Sequence, residues 1–444
     1  MRLPGYRLEP LVLVLVAMAA LAFVNRPESQ DFTRFEATRH VVLYHTLTIE
    51  PNLFDHAEFN GRTYSDKAPG MSFLAVPVFQ AERVLGVARA PRSWNPEGDA
   101  SLWGVRVFTS GLPFLGCVFL LGRYAELLVP RTGAATAAIF GVGTLATPLA
   151  PTLFEHDAAA ALTFAAFVLV ALTSRALLLA LAGLLAGTAV LFEYSAAIAA
   201  AVIAGFCVYR HGRGLIWLAA GAGPAAVALG AYDRAAFGSP FHLSYRYVAN
   251  KFATEQHRGF FGISIPSAHG LYLALVGNRG LLVYSPVLVA AAVGLGLLWR
   301  RGFRAETLVA AVIVVVFVVV DAGYFLPYGG VSPGPRFFAL AVPFLALGLA
   351  GALGRYPRTT LALGAVSALL TLADAATWSK RPQEDTSWLV RRHYFGNTVW
   401  MWLGSSRPVG VGLALVCGLA AVAVGSLPLL RSDRTRSEAL GSPS

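Results

Sequence analysis

The stretch GRTYSDKAPGMSFLAVPVF, residues 61–79, decides how the rest of the chain is placed. Its second half is apolar enough to begin a membrane span, yet Asp66, Lys67, Pro69 and Gly70 stand at its mouth. Pro77, Gln80, Glu82 and Arg83 then make it a poor one. If residues 71–90 cross a bilayer, every later loop changes sides. If they lie at the surface as an amphipathic or re-entrant piece, the arginine clusters all fall on one side.

The surrounding composition is that of a membrane protein. Hydrophobic residues make up 56% of the chain and charged residues 13%, about half the charged share of a soluble domain, and the mean hydropathy is +0.61. Apolar runs recur from end to end without the period-2 alternation of a barrel. Only helices or closed barrels satisfy backbone groups in lipid, so the chain is expected to be an all-α polytopic membrane protein. The expected spans are 10–24, 102–121, 133–153, 158–173, 177–192, 196–209, 214–231, 281–299, 306–326, 336–354, 359–376 and 408–430, about twelve in all. Together they form a single transmembrane domain over 1–430, followed by a disordered cytoplasmic tail at 431–444. Residues 1–24 are read as an uncleaved first span because many spans follow.

Lysine and arginine near span ends favour the cytoplasm. With 71–90 not crossing and the N-terminus inside, Arg123/Arg131, Arg175, RHGRG (210–214), RRGFR (300–304), GRYPR (354–358) and RSDRTR (431–436) all fall inside. The first loop (25–101), the short loops 154–157 and 193–195, the lid-like loop 232–280, and the loops 327–335 and 377–407 fall outside. Both termini are then cytoplasmic. The net charge of +11 is explained by these span-end arginines, and no nucleic-acid partner is expected. Cys117, Cys207 and Cys417 each lie in an apolar run and read as small core residues. The chain has no Walker A loop, GxSxG, HExxH or CxxC.

The outer loops carry the candidate chemistry. Asp31 sits just past the first span, where a partly desolvated carboxylate can serve as a general base; the plainer alternative is a solvated juxtamembrane Asp beside Arg34. In YSDKAPG, Pro and Gly flanking Lys67 limit where its ammonium points, which suits a lipid phosphate. A snorkelling lysine is the alternative. Glu155, His156 and Asp157 are bounded by long apolar runs and are costly there unless they line a polar cavity. Ligation of a divalent metal by His156 and Asp157 is not favoured, because the spacing matches no recognised ligand set. Glu193 and Tyr194 repeat the pattern at the next outer span end. In the loop 232–280, the aromatics with His257 and Arg258 suit a lid over an elongated polar or lipidic ligand, an interfacial aromatic belt being the alternative, and Tyr245, Arg246 and His257 are the candidate substrate-binding residues there. Gly- and Pro-rich YGGVSPGPRFF (328–338) ends in Arg336 at a span mouth, a phosphate-type arrangement.

Taken in order, QDFTRFEATRHVVLYHTLTIE (30–50), FNGRTYSDKAPGMSFLAVPVF (59–79), TPLAPTLFEHDAAAAL (147–162), FEYS (192–195), FGSPFHLSYRY (237–247), RGLLVYSP (279–286) and YGGVSPGPRFF (328–338) resemble the bacterial GT-C type glycosyltransferases. These are the polytopic enzymes related to protein O-mannosyltransferases and aminoarabinose transferases. The resemblance runs from about residue 10 to 350 and is most specific in YSDKAPG and GGVSPGPR. It implies an inverting transfer at the outer face of a bacterial plasma membrane, from a polyprenyl-phosphate sugar donor to a glycan, lipid or protein acceptor. A carboxylate in the first outer loop acts as base in that family. Asp31 stands near its position, Gln30-Asp31 replacing the usual Asp-Glu pair, with Asp66 as the substitute. Lys67-Ala68-Pro69 resembles the Lys-Pro-Pro element that faces the donor phosphate, and Asp157 resembles the acid of the second outer loop. Lys67 and Arg336 would stabilise the departing phosphate. A non-catalytic flippase or lipid-binding protein on the same fold is the alternative.

Overall fold

A computed structural model describes residues 3–51, 55–88, 100–326, 328–377 and 390–440. The first helix, α1 (Glu9–Ala20), starts with a proline in its first turn, where the missing N–H costs nothing. It leads to a short strand, β1 (Phe23–Val24), and then to α2 (Ser29–Tyr44). A reciprocal capping box closes the start of α2: the Glu28 side chain accepts from the third-position backbone, and Asp31 accepts from the Glu28 N–H.

Strands β2 (Ala57–Phe59) and β3 (Arg62–Tyr64) form an antiparallel hairpin in which Ala57 faces Tyr64. Asn60 (φ +49°) and Gly61 (φ +70°) make the turn, both in the left-handed region that a two-residue hairpin loop needs. The chain then passes through Asp66 and Lys67 into α3 (Gly70–Val84). Gly70 lies so close to Phe192 that a Cβ there would overlap its ring. α3 contains Pro77, buries Met71, Ala75 and Phe79, and is not among the helices apolar and long enough to span a membrane.

The bundle follows. α4 (Ala100–Arg106) runs through a π-helical turn (Val107–Gly111) into α5 (Leu112–Leu128). Next come α6 (Gly133–Gly143), α7 (Ala146–Leu149), α8 (His156–Leu172), α9 (Ala176–Phe192), α10 (Ala196–His211) and α11 (Leu215–Phe237). The chain reverses between α10 and α11 at Gly212, which has φ +50°. Gly183 faces the Leu218 backbone and Gly187 faces Ala222, so α9 and α11 lie side by side in the same direction. Small residues let these backbones approach, as membrane helices prefer.

The lid segment holds a 3₁₀ turn (Ser244–Tyr247) and α12 (Ala253–Gln256). α13 (Ala268–Val276) and α14 (Leu281–Tyr284) then bend by 90° into α15 (Val287–Arg300). α16 (Arg304–Gly323), α17 (Val342–Ala346), α18 (Gly348–Arg355), α19 (Pro357–Thr377), β4 (Asn397–Thr398) and α20 (Arg407–Leu440) complete the described chain. One contiguous hydrophobic core extends from Tyr6 to Val422.

Among the described residues, five helical stretches are long and apolar enough to cross a membrane, or seven if each bent pair is one span. Four shorter apolar helices, α1, α6, α8 and α9, fall below that length. The protein is therefore an all-α, multi-pass membrane protein, but length and apolarity do not establish the expected count of twelve. Helix α20 runs past the expected span end at 430 as far as Leu440. Residues 441–444 of the expected tail lie outside the described residues.

Candidate active site

The hairpin β2–β3 places the central residues. Tyr64 packs against Phe237 at 5.3 Å between ring centroids, fixing the strand that delivers Asp66 and Lys67. The Lys67 ammonium lies 3.0 Å from Asp66 Oδ2 and 3.4 Å from Asp55 Oδ2. Ser29 Oγ donates to Asp55 Oδ2 at 2.9 Å, and Ser244 Oγ of the lid donates to the Asp66 carbonyl at 2.8 Å. Asp66 Oδ1 is buried and has no hydrogen-bond partner.

These groups line a cavity of about 300 Å³ together with Gln30, Tyr245, Lys251, Gln256, Tyr324, Gly329, Gly330 and Arg336. Arg336 enters from the loop before α17. Gly329 (φ +73°) and Gly330 (φ +94°) turn the backbone through the left-handed region, and a Cβ on Gly329 would collide with the Arg336 side chain. The Arg336 Nε is buried without a partner. The residues lining the cavity thus include an ammonium, a guanidinium with a buried unpartnered nitrogen and a carboxyl with a buried unpartnered oxygen.

Burial pushes the Asp66 carboxyl above its ordinary range against the pull of Lys67, and Asp55 pushes the same way. Burial works to deprotonate Lys67, but Asp55 and Asp66 together outweigh it and hold the ammonium charged.

Asp31 is not brought into this cavity. It is buried, and it accepts from Leu153 N at 2.6 Å, Glu28 N at 3.0 Å and Arg106 Nε at 3.2 Å. Arg106 also donates to the Asn25 carbonyl at 2.6 Å. Asp31 therefore clamps α2, α4 and the segment before α8. Its neighbour Gln30 lines the cavity instead.

The segment 153–157 builds a separate polar layer beside α2. Arg34 is fully buried, ion-paired with Glu155, and donates to Gln30 Oε1 at 3.0 Å. His156 Nδ1 lies 3.5 Å from Glu193 Oε2, and its Nε2 lies 4.0 Å from Glu155 Oε1. Burial alone would raise Glu155, but Arg34 outweighs it and holds the carboxyl well below the usual range. Glu193 moves upward through burial and the neighbouring Glu155. Glu155, His156 and Glu193 offer ligand atoms within 4.8 Å of one another, so their donor set fits a cation; Asp157 is not part of that group. The guanidinium of Arg34 already pairs with Glu155, one of the two carboxylates of the set.

Tyr194 stands edge-on to Tyr245 at 5.0 Å and shares a hydrogen bond with Ser244 at 3.2 Å. Only Tyr245 of the two lines the cavity. Arg246 and His257 are exposed and do not line it. Asp55, Ser29, Gln256 and Tyr324, which sequence reasoning did not single out, do line it. Tyr324 OH donates to Gln256 Oε1 at 3.0 Å, joining the lid to the end of α16.

No protein-family model and no curated protein matches the sequence. The fold is similar to ArnT from Cupriavidus metallidurans, with a TM-score of 0.53 and 14% identity over 95% of this chain and 76% of that one. ArnT bound to undecaprenyl phosphate matches with the same values. The arabinosyltransferase EmbB from Mycobacterium smegmatis matches over 96% of this chain and 41% of its own at 14% identity, with a TM-score of 0.48. The chain has the fold of the GT-C type membrane glycosyltransferases.

Proposed function

We propose that the protein is a membrane glycosyltransferase that takes a sugar from a polyprenyl-phosphate donor and passes it, with inversion, to an envelope acceptor at the outer face of a bacterial plasma membrane. The observation that carries this reading is the convergence of Lys67, Arg336 and Asp66 on one cavity. Two cations suit a lipid phosphate, and a carboxylate with a free oxygen suits a base. ArnT, the structural relative of 0.53 TM-score, was solved with undecaprenyl phosphate bound.

In this mechanism Asp66 Oδ1 takes the proton of the acceptor hydroxyl as that oxygen attacks the anomeric carbon. The bond from the anomeric carbon to the phosphate oxygen breaks, and its electron pair leaves with the polyprenyl phosphate. Lys67 and Arg336 meet the charge that develops there, which lowers the barrier more than it tightens ground-state binding. Asp55 holds Lys67 in place. Asp31, with its donors already supplied, positions α2 and so Gln30 and Ser29. Tyr245 and Tyr324 wall the cavity against water. The Arg34–Glu155 pair leads us to assign His156 and Glu193 to supporting Gln30 and Tyr245 without a metal.

The test is a reconstituted reaction with polyprenyl-phosphate sugars. Free polyprenyl phosphate and a glycosylated acceptor should form together. Lipid-linked sugar that crosses the bilayer intact, with no polyprenyl phosphate released, would make the protein a carrier.

A further inference from the structure

The end of the bundle far from the cavity carries a second concavity. α16 ends next to Tyr324 at the cavity and begins at Arg304, 20 residues earlier. At 1.5 Å per residue the two ends are about 30 Å apart, the thickness of a bilayer core. At the Arg304 end, a groove of about 430 Å³ opens between α10, α15 and α16, a size typical of ligand sites.

The groove is elongated along the helices. On α10 its wall is Gly205, Phe206 and Tyr209; on α16 it runs from Arg304 through Leu308 to Val312, about 12 Å of helix. Gly205 keeps it open, since a Cβ there would meet nothing within 4 Å. The lining is apolar along its length, contains no acid, and ends in a single cation, Arg304. Tyr209 and Trp299 expose their rings at the mouth, as aromatic side chains do at headgroup depth. The adjacent acid, Glu306, lies 3.5 Å from Arg210 and is matched there, so it does not cancel Arg304. Arg300 and Arg301 follow directly after Trp299.

An apolar slot of this length under a positive mouth is complementary to one kind of molecule. A lipid tail fills the slot while its headgroup meets the arginines. A zwitterionic headgroup would bring its own cation to the same mouth. We infer that this groove is a binding site for an anionic phospholipid, with an acyl chain between α10 and α16 and its phosphate on Arg304. The site is independent of the transfer reaction and lies on the opposite side of the bilayer core from it.

The test uses the full-length purified protein in detergent, given phosphatidylglycerol, phosphatidylcholine and undecaprenyl phosphate together. Native mass spectrometry then counts the lipids retained. Phosphatidylglycerol should be retained over phosphatidylcholine by at least fivefold, and Arg304→Glu, at an exposed position, should abolish that preference. Gly205→Phe should fill the slot and lower phosphatidylglycerol retention by a similar factor. If Gly205→Phe fails to fold, Arg304→Glu alone decides. Equal retention of both phospholipids by the unaltered protein, or unchanged preference in Arg304→Glu, would overturn the inference. Loss of undecaprenyl phosphate in place of phosphatidylglycerol from the variants would also overturn it, assigning the groove to the polyprenyl chain.

Discussion

At the level of single residues, the two first-loop acids differ in what surrounds them. Asp66 lines the cavity and has a buried oxygen without a partner, whereas Asp31 is saturated by backbone and arginine donors. Asp66→Asn should lower turnover by about 10²- to 10⁴-fold, the usual contribution of a general base, with a smaller fall in thermal unfolding temperature than Asp31→Ala, because Asp55 still pairs with Lys67. Asp31→Ala should instead lower unfolding temperature, because it leaves Arg106 buried without its carboxylate, at a cost of about 3–5 kcal/mol. Thermal unfolding and turnover measured on both variants check the assignment; a stable, inactive Asp31→Ala with an active Asp66→Asn would reverse it. Lys67→Ala and Arg336→Ala should each weaken undecaprenyl phosphate binding roughly tenfold or more, since a charged hydrogen bond is worth about 1.5–3 kcal/mol. A chelator should leave transfer intact if Arg34 neutralises Glu155 as described. Loss of activity in EDTA, restored by a divalent ion, would place a metal at Glu155, His156 and Glu193.

A pH effect also belongs to one residue. Burial, with Asp31 beside it, pushes the Glu28 carboxyl up from 4.5 to about 7. The folded chain therefore keeps this proton where the unfolded chain has lost it, and stability should fall as pH rises from about 4.5 to about 7, then level off. Glu28→Gln should flatten that slope in thermal scans.

At the level of elements, the β2–β3 hairpin shows what was legible in the chain and what was not. Asn60-Gly61 announces a two-residue turn, and pairing outward from it sets Ala57 opposite Tyr64. Two further steps in the same register set the segment holding Asp55 beside the one holding Asp66. The Asp55 contact with Lys67 was thus readable from the turn, yet an Asp in a loop gives no signal until the register is followed. Asp31 was harder. Its donors Arg106 and Leu153 lie 75 and 122 residues away, and no local pattern joins them. His257 and Arg246 looked suitable because they sit among aromatics, but short 3₁₀ and helical turns in the lid aim them outward. The expectation that α3 does not cross rests on the loop arginines, which report sidedness over many spans at once. Gly61→Val, at φ +70°, should strain the turn, shift Lys67 and reduce polyprenyl phosphate binding, while Arg62→Ala on the exposed strand should not.

Across the whole molecule, β1 pairs with β4, so that Phe23 faces Thr398 and Val24 faces Asn397. The Val399 N–H also donates to the Ala22 carbonyl at 2.8 Å. The segment between α1 and α2 is thereby stapled to one that leaves the ribosome more than 370 residues later. Closing so long a loop is slow. During synthesis the early helices must sit in the bilayer with this edge unpaired, and the segment around Asn25, where Arg106 docks, gains its last support only when Asn397 arrives. On the proposed function, transfer is therefore expected only once the segment around Asn397 has been made, which would keep a chain lacking it from spending lipid-linked sugar.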